Sequence, residues 1–125
     1  MLADTPVYPV LPVADLERAK RFYKEKLGLR VLNDAIPGVV VFVAGKGTQL
    51  ELYEHGATKA DNTTCSFSVL DIVSTVRWLK ERGVVFEEYD FYDFKTVDSI
   101  AVLGGNQAAW FKDTEGNIIC IHQEG

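Results

Sequence analysis

The chain has 125 residues, 47% hydrophobic and 25% charged, which is typical of one compact globular unit and excludes disordered, fibrous and coiled-coil classes. Thirteen Lys and Arg against eighteen Asp and Glu give a net charge of −5 without a basic stripe, so we expect no nucleic-acid or membrane partner. No secretory signal opens the chain, and Cys65 and Cys120 lack CxxC spacing, so we expect a cytoplasmic protein with reduced thiols.

The first half of the chain predicts the element order βαβββ. Residues 7–13 form a candidate edge strand, because two prolines interrupt the run. Asp15 is a candidate N-cap for an amphipathic helix that Gly28 ends. Three further strands are predicted between glycine-containing turns, at 30–32, 39–43 and 48–53.

The second half repeats this pattern. A strand at 64–69 precedes the candidate N-cap Asp71 and a helix ended by Gly83, with Ile72, Val76 and Leu79 on one helix face. Further strands are predicted at 84–88, 107–111 and 118–122. Between them, residues 89–96 form an aromatic and acidic segment that is too long for a simple hairpin and typical of a lid loop.

The two halves also match residue by residue. At a constant offset of 56, Val13 corresponds to Val69, Asp15 to Asp71 and Phe22 to Trp78. We interpret the match as an internal duplication within one domain, residues 1–125. Its first module covers about residues 5–55 and its second about 63–125, with a polar linker at 56–62.

Two segments carry a family resemblance: VADLERAKRFYKEKLGL at 13–29 and AAWFKDTEGNIICI at 108–121. With the duplicated βαβββ pattern, the chain resembles the vicinal oxygen chelate superfamily, which includes glyoxalase I, extradiol dioxygenases and the fosfomycin- and bleomycin-resistance proteins. Thr114 stands where the family usually has proline. The resemblance implies an α+β fold in which two βαβββ modules form curled mixed sheets around a cavity. It also implies a homodimer.

The superfamily's enzymes hold a divalent metal through up to four inward-facing side chains, commonly His, Glu or Gln, His and Glu. The resemblance places these positions at Tyr8, Glu51, Thr64 and Cys120. Only Glu51 is a good ligand for such a metal, because a phenol, an alcohol and a thiol suit it poorly. We therefore expect no metal cofactor.

A displaced divalent-metal site remains an alternative. Period-two alternation places His55 on the face of Glu51, and His122 on the face of Cys120. Glu51, His55 and His122 could then bind a metal, or act as acid and base without one. Both histidines also lie near segment ends, which are commonly solvated.

Without a metal, the cavity residues suit an organic ligand. Hydroxyl, thiol and aromatic side chains on the predicted inner strands would face it, and aromatic rings of the 89–96 loop could cover it. The candidate ligand-binding residues are Tyr8, Thr64, Ser66, Tyr89, Tyr92, Phe111, Cys120 and His122.

Two functions from different classes follow. The first is a metal-independent protein that binds a small organic ligand, similar to the drug-sequestering members of the superfamily. The alternative is a metal-dependent lyase or isomerase of the glyoxalase I kind, or a dioxygenase, in which Glu51 is the catalytic residue with atypical partners. A purely structural partner domain is a third possibility.

Overall fold

The structure, a computed structural model, describes residues 1–56, 58–59 and 61–125. It divides into two compact units, Met1–Thr58 and Lys59–Gly125. The predicted linker at 56–62 includes Ala57 and Ala60, which lie outside the described residues. The module boundaries therefore stay a prediction. In the described part of the chain, every helix is too short or too polar to cross a membrane.

The first unit is a four-stranded mixed sheet with one α-helix and two short 3-10 helices, Leu2–Asp4 and Gly45–Gly47. Its strand order is β1-β4-β3-β2, with β1 parallel to β4 and the other neighbours antiparallel. The helix α1 continues into one π-helical turn, in which the Leu27 N–H donates to the Phe22 carbonyl at 3.2 Å. The elements are β1 (Val10–Val13), α1 (Leu16–Arg21), the π turn (Phe22–Lys26), β2 (Arg30–Asn33), β3 (Val39–Val43) and β4 (Gln49–Glu54).

Local sequence explains why α1 begins and how it packs. The Asp15 side chain accepts the Arg18 N–H at 3.0 Å, which satisfies one of the unpaired donors of the first turn. Ala19 and Tyr23 are fully buried, and the Tyr23 ring lies 5.8 Å from that of Phe42 on β3. The sheet alternates buried and half-buried residues along β3 and β4, so one face packs against the helix.

The second unit is a six-stranded sheet with one long helix. Its strand order is β5-β10-β9-β8-β7-β6, with β5 parallel to β10 and the other pairs antiparallel. The elements are β5 (Thr63–Ser68), α2 (Ile72–Glu81), β6 (Asp90–Phe91), β7 (Phe94–Val97), β8 (Ile100–Leu103), β9 (Asn106–Lys112) and β10 (Ile118–Gln123).

The helix α2 covers one face of this sheet. Asp71 caps it by accepting the Ser74 N–H at 3.2 Å, as predicted. The Ile72 N–H donates to the Gln123 side chain at 2.8 Å, so α2 lies on the face to which Gln123 points. Alternation along β9 and β10 assigns the buried residues Ala109, Phe111, Ile119 and Ile121 to the same face.

The predicted α+β class with repeated modules is confirmed. The order β5-β10-β9-β8 repeats β1-β4-β3-β2, with the parallel pair in the same place. Both units therefore contain a βαβββ core, and the second extends it at one edge by the β6–β7 hairpin.

Two predicted elements of the second unit are wrong, and one of its strands was not predicted. Residues 84–88 form no strand, since only Phe86 makes a bridge, to Phe111. Residues 89–96 are not a lid loop, because most of them belong to the β6–β7 hairpin. The strand β8 was missed because its turn from β7 contains no glycine: Asp98 and Ser99 adopt φ values of 51° and 77°. In the first unit, β1 begins only at Val10.

Candidate ligand site in the second unit

Two of the four family metal positions lie in the first unit. Tyr8 precedes β1 and is 38% exposed. Glu51 lies on β4, half-buried, and its ladder partners are Val10 and Val41. The exposed His55 ring lies 5.6 Å from that of Tyr53. Aliphatic side chains therefore flank the Glu51 carboxylate on both neighbouring strands.

The other two family positions lie in the second unit, and both side chains make local hydrogen bonds. The Thr64 hydroxyl donates to the Ile118 carbonyl at 2.8 Å. The buried Cys120 thiol donates to the Ile121 carbonyl at 3.4 Å. Burial raises the pKa of Cys120, and a hydrogen bond from Ser66 only partly opposes this. Cys120 is therefore a neutral thiol at neutral pH.

This donor set does not fit a divalent metal of the kind the superfamily's enzymes use. An alcohol and a protonated thiol are weak ligands for such ions, and a phenol ligates only after losing its proton. Among residues 1–56, 58–59 and 61–125, no three or more His, Cys, Asp or Glu side chains lie close enough to share a metal ion. We therefore assign no step of chemistry to a metal.

Three of the predicted ligand-binding residues come together on one face of the second sheet. Ser66 on β5 lies opposite Cys120 on β10, and the Ser66 hydroxyl is 2.5 Å from Nδ1 of His122. Nε2 of His122 lies 3.5 Å from the Glu124 carboxylate. We call Thr64, Ser66, Cys120 and His122 the polar strip, because they supply hydroxyl, thiol and imidazole groups along two adjacent strands.

An aromatic cluster adjoins the polar strip. It consists of Tyr89, Phe91, Phe94 and Trp110, whose ring centroids are 5.3 to 6.3 Å apart in stacked, tilted and edge-to-face pairs. Trp110 lies directly opposite Cys120 in the β9–β10 ladder, so both side chains share a face. The indole Nε1–H donates to the Thr63 hydroxyl at 3.1 Å, which fixes the ring orientation.

The structure distributes the other predicted residues differently. Tyr89 belongs to the aromatic cluster, whereas Tyr92 is fully exposed at the hairpin tip. Phe111 was expected on the inner face with Cys120, and this is wrong. It is 1% exposed and packs on the α2 side, 5.5 Å from the Phe86 ring. Trp110 takes the place expected of Phe111, because the register of β9 on β10 pairs Trp110 with Cys120.

Glu88 anchors the segment that carries the cluster. Its carboxylate accepts the Thr96 hydroxyl at 2.6 Å and the Ser99 hydroxyl and N–H at 3.1 and 3.2 Å. The Thr96 hydroxyl in turn accepts the Tyr89 N–H at 2.8 Å. Glu88 thus ties the left-handed Asp98–Ser99 turn to the start of the hairpin. The sequence contained no motif for this contact.

This anchor predicts a pH-dependent stability. The hydrogen bond from Thr96, together with those from Ser99, lowers the pKa of Glu88 below its ordinary 4.5. A depressed carboxyl pKa stabilises the folded state above the unfolded pKa, and that stabilisation is lost as the pH falls through the folded pKa. We expect the Tm of the wild-type protein to exceed that of Glu88→Ala at about pH 7. This difference in Tm should be smaller at about pH 3. Equal Tm differences at both pH values would contradict this.

An open groove occupies the other face of the second sheet. It lies between α2 and the strands β6 to β8, with a volume of about 1280 Å³. Exposed Val73, Val97 and Val102 are part of its lining, together with the cations Arg77, Lys80 and Lys95. Phe91 and Phe94 of the aromatic cluster also line this groove, so the two places where an organic molecule fits adjoin each other at the β6–β7 hairpin.

The repeated βαβββ cores, with the first and last strand of each parallel, define the fold of the vicinal oxygen chelate superfamily, and the resemblance seen in the sequence is confirmed. Residues 5–45 match the family model described as bleomycin resistance protein-like N-terminal. No curated protein matches the chain.

Solved structures with this fold include antibiotic-binding and resistance proteins. TnmS3, described as an antibiotic binding protein from Streptomyces sp. CB03234, is 25% identical over 100% of both chains, with a TM-score of 0.71. UcmS2 is 21% identical over 92% of this chain and 94% of its own, with a TM-score of 0.72. The fosfomycin resistance protein FosX from Mesorhizobium loti is 12% identical over 98% and 93%, with a TM-score of 0.68.

Proposed function

We propose that this chain is a metal-independent binding protein that sequesters a small organic ligand, such as an antibiotic or an aromatic metabolite. The observation that carries the proposal is the aromatic cluster beside the polar strip on one face of the second sheet. Aromatic rings of a ligand stack on the rings of the aromatic cluster. The hydroxyl and imidazole groups of the polar strip then orient the polar edge of that ligand.

The electrostatics of the cluster support a neutral aromatic ligand. Burial raises the pKa of Tyr89, so its phenol is uncharged at neutral pH. The thiol of Cys120 is also neutral. Phe91, at 61% exposure, presents its ring to incoming molecules. The surface combines apolar rings with the neutral phenol of Tyr89 and the neutral thiol of Cys120, and it therefore favours aromatic compounds over small anions.

The likeness to TnmS3 supports the same function. That protein is described as antibiotic binding, and the alignment covers both chains completely. The homodimer expected from the superfamily and the cytoplasmic location expected from the sequence are parts of this proposal.

The enzyme alternative has less support. A glyoxalase-like mechanism needs Glu51 to act with a metal or as an isolated base. The ladder neighbours of Glu51 are valines, and the remaining family positions carry weak donors. No feature of the described residues favours this alternative over binding.

Titration calorimetry on the metal-free protein tests the proposal. Daunorubicin and metal-free bleomycin A2 carry aromatic rings, whereas fosfomycin has none. We expect at least one aromatic compound to bind and fosfomycin not to bind. We expect Trp110→Ala to weaken that binding about tenfold or more, because losing one stacking ring costs about 1.4 kcal/mol.

Two variants serve as controls. Val102→Lys changes the β8 side of the groove and no residue of the aromatic cluster, and it should leave the affinity unchanged. Trp78→Phe removes the tryptophan of α2, whose ring centroid lies 3.5 Å from Cζ of Arg82. Trp110 is then the one tryptophan left in the sequence, so tryptophan fluorescence reports on the proposed site. Binding that requires added metal, or that is lost in Val102→Lys but kept in Trp110→Ala, would contradict the proposed site.

A further inference from the structure

Ser66, His122 and Glu124 form a continuous chain of side chains at the end of the polar strip. A nucleophile in contact with a base that a third group orients is the arrangement of a hydrolytic triad, whatever the fold. We propose that these three residues form such a triad and hydrolyse small aryl esters. This activity goes beyond ligand binding, and its preference for aryl groups rests on the aromatic cluster of the proposed function.

The strand register brings the nucleophile and the base together. β5 and β10 run parallel, with Ser66 opposite Cys120 and Ser68 opposite His122. Ser66 and His122 are thus one ladder step apart on the same face, and Ser66 Oγ lies 2.5 Å from Nδ1. β5 is an edge strand and Ser66 is exposed, so an ester carbonyl can reach its hydroxyl.

Glu124 supplies the orienting group. Its carboxylate lies 3.5 Å from Nε2 of His122, which is 29% exposed. A carboxylate 3.5 Å from Nε2 electrostatically favours a proton on that nitrogen, which leaves the lone pair on Nδ1 to accept the Ser66 hydroxyl. Glu124 is therefore a positioning residue, and Ser66 and His122 are the catalytic residues.

The neighbouring rings define the substrate class. Trp110 pairs with Cys120, which pairs with Ser66 on the next strand, so the aromatic cluster begins two strands from the nucleophile. An aryl group stacked on Trp110 would place an adjoining ester near Ser66. The Cys120 thiol is not the nucleophile, because burial raises its pKa and keeps it protonated.

The reaction balances with ester and water alone. Ser66 Oγ bonds to the carbonyl carbon while Nδ1 of His122 takes the hydroxyl proton. The carbon–oxygen bond to the aryl group breaks, and the phenol leaves with the proton from His122. Water then attacks the acyl-serine, gives a proton to His122 and releases the carboxylic acid, and Ser66 regains its proton.

The test is labelling of the whole protein by an alkyl fluorophosphonate, followed by peptide mass mapping, together with p-nitrophenyl acetate hydrolysis. We expect one adduct, on Ser66, formed with loss of fluoride. Ser66→Ala should abolish the adduct and slow hydrolysis about 100-fold, and His122→Gln should slow both about 100-fold, since a base contributes that much. Ser68→Ala is the matched control on the same strand face and should keep the wild-type rates.

The positioning role of Glu124 is tested by a measurement that a purely structural role would not change. Glu124→Gln should slow hydrolysis about tenfold and shift the midpoint of the pH–rate profile, and Glu124→Asp should restore both. Circular dichroism checks that each variant is folded. The absence of a Ser66 adduct in the wild-type protein, or hydrolysis that persists in Ser66→Ala, would overturn the proposal.

Discussion

Replacing Phe111 by alanine is expected to lower the free energy of unfolding by about 3–5 kcal/mol, the usual cost of removing a buried ring. Phe111 is 1% exposed and packs edge-to-face on Phe86, which its strand also bridges. The surrounding strands cannot collapse into the space of a lost ring, so a cavity remains.

Urea denaturation measures the free energy of unfolding of Phe111→Ala and of Trp110→Ala. Comparing the two variants distinguishes a core residue from a ligand-binding residue at adjacent positions. Trp110→Ala should weaken ligand binding and cost less stability, because Trp110 is only half-buried. Phe111→Leu keeps most of the volume, and it should cost less than about 1.5 kcal/mol. A Phe111→Ala protein as stable as wild type, with ligand binding lost, would show instead that Phe111 lines the site.

Replacing Asp113 by alanine is expected to cost about 2–4 kcal/mol, since each unsatisfied buried donor costs about 1–3 kcal/mol. Its carboxylate accepts the N–H groups of Glu115 and Asn117 at 2.8 Å and the Asn117 side-chain amide at 2.9 Å. Asp113 is 7% exposed and Asn117 fully buried, so water cannot replace these bonds. Gly116, at a φ of 90°, lets the turn close between β9 and β10.

Thermal and urea unfolding of Asp113→Ala measure this cost. Lys112→Ala is the neighbouring control: its side chain is 57% exposed and meets Glu87 at 3.7 Å, so the expected change is within about 0.5 kcal/mol. Asp113→Asn should recover part of the stability, because an amide oxygen can still accept a hydrogen bond. Equal stability of Asp113→Ala and Lys112→Ala would contradict the assigned role of the turn.

The sequence predicted most of the first unit because its signals are local. Capping aspartates, helical spacing of apolar residues and glycine after the helix all act within a few residues of the chain. The prediction of the second unit was wrong where a turn lacks a local sequence signal, since β7 and β8 are joined without a glycine. The β6–β7 hairpin and β8 depend on the Asp98–Ser99 turn, which Glu88 holds through Ser99, eleven residues away.

The sequence also predicted some residues of the candidate site and missed others. Ser66 and His122 were named from alternation and Cys120 from the family resemblance, and the structure brings the three together on paired strands. Trp110 was missed and Phe111 chosen instead, because alternation within one strand does not say which of two neighbours shares a face with another strand. Counting β9 from Cys120 through the Asp113–Asn117 turn would have identified Trp110.

By itself, the sequence determined the α+β class, the duplicated βαβββ pattern, both helix starts and the chemical types available at the family's metal positions. The βαβββ pattern and the helix starts depend on periodicity and short-range hydrogen bonds, which are properties of neighbouring residues. The α+β class and the metal positions follow from the family resemblance. Only the tertiary structure decided the aromatic cluster and the contact of Ser66 with His122. Those features join strands that lie far apart in the chain, and pairing is decided by the packing of the whole sheet rather than by any one segment.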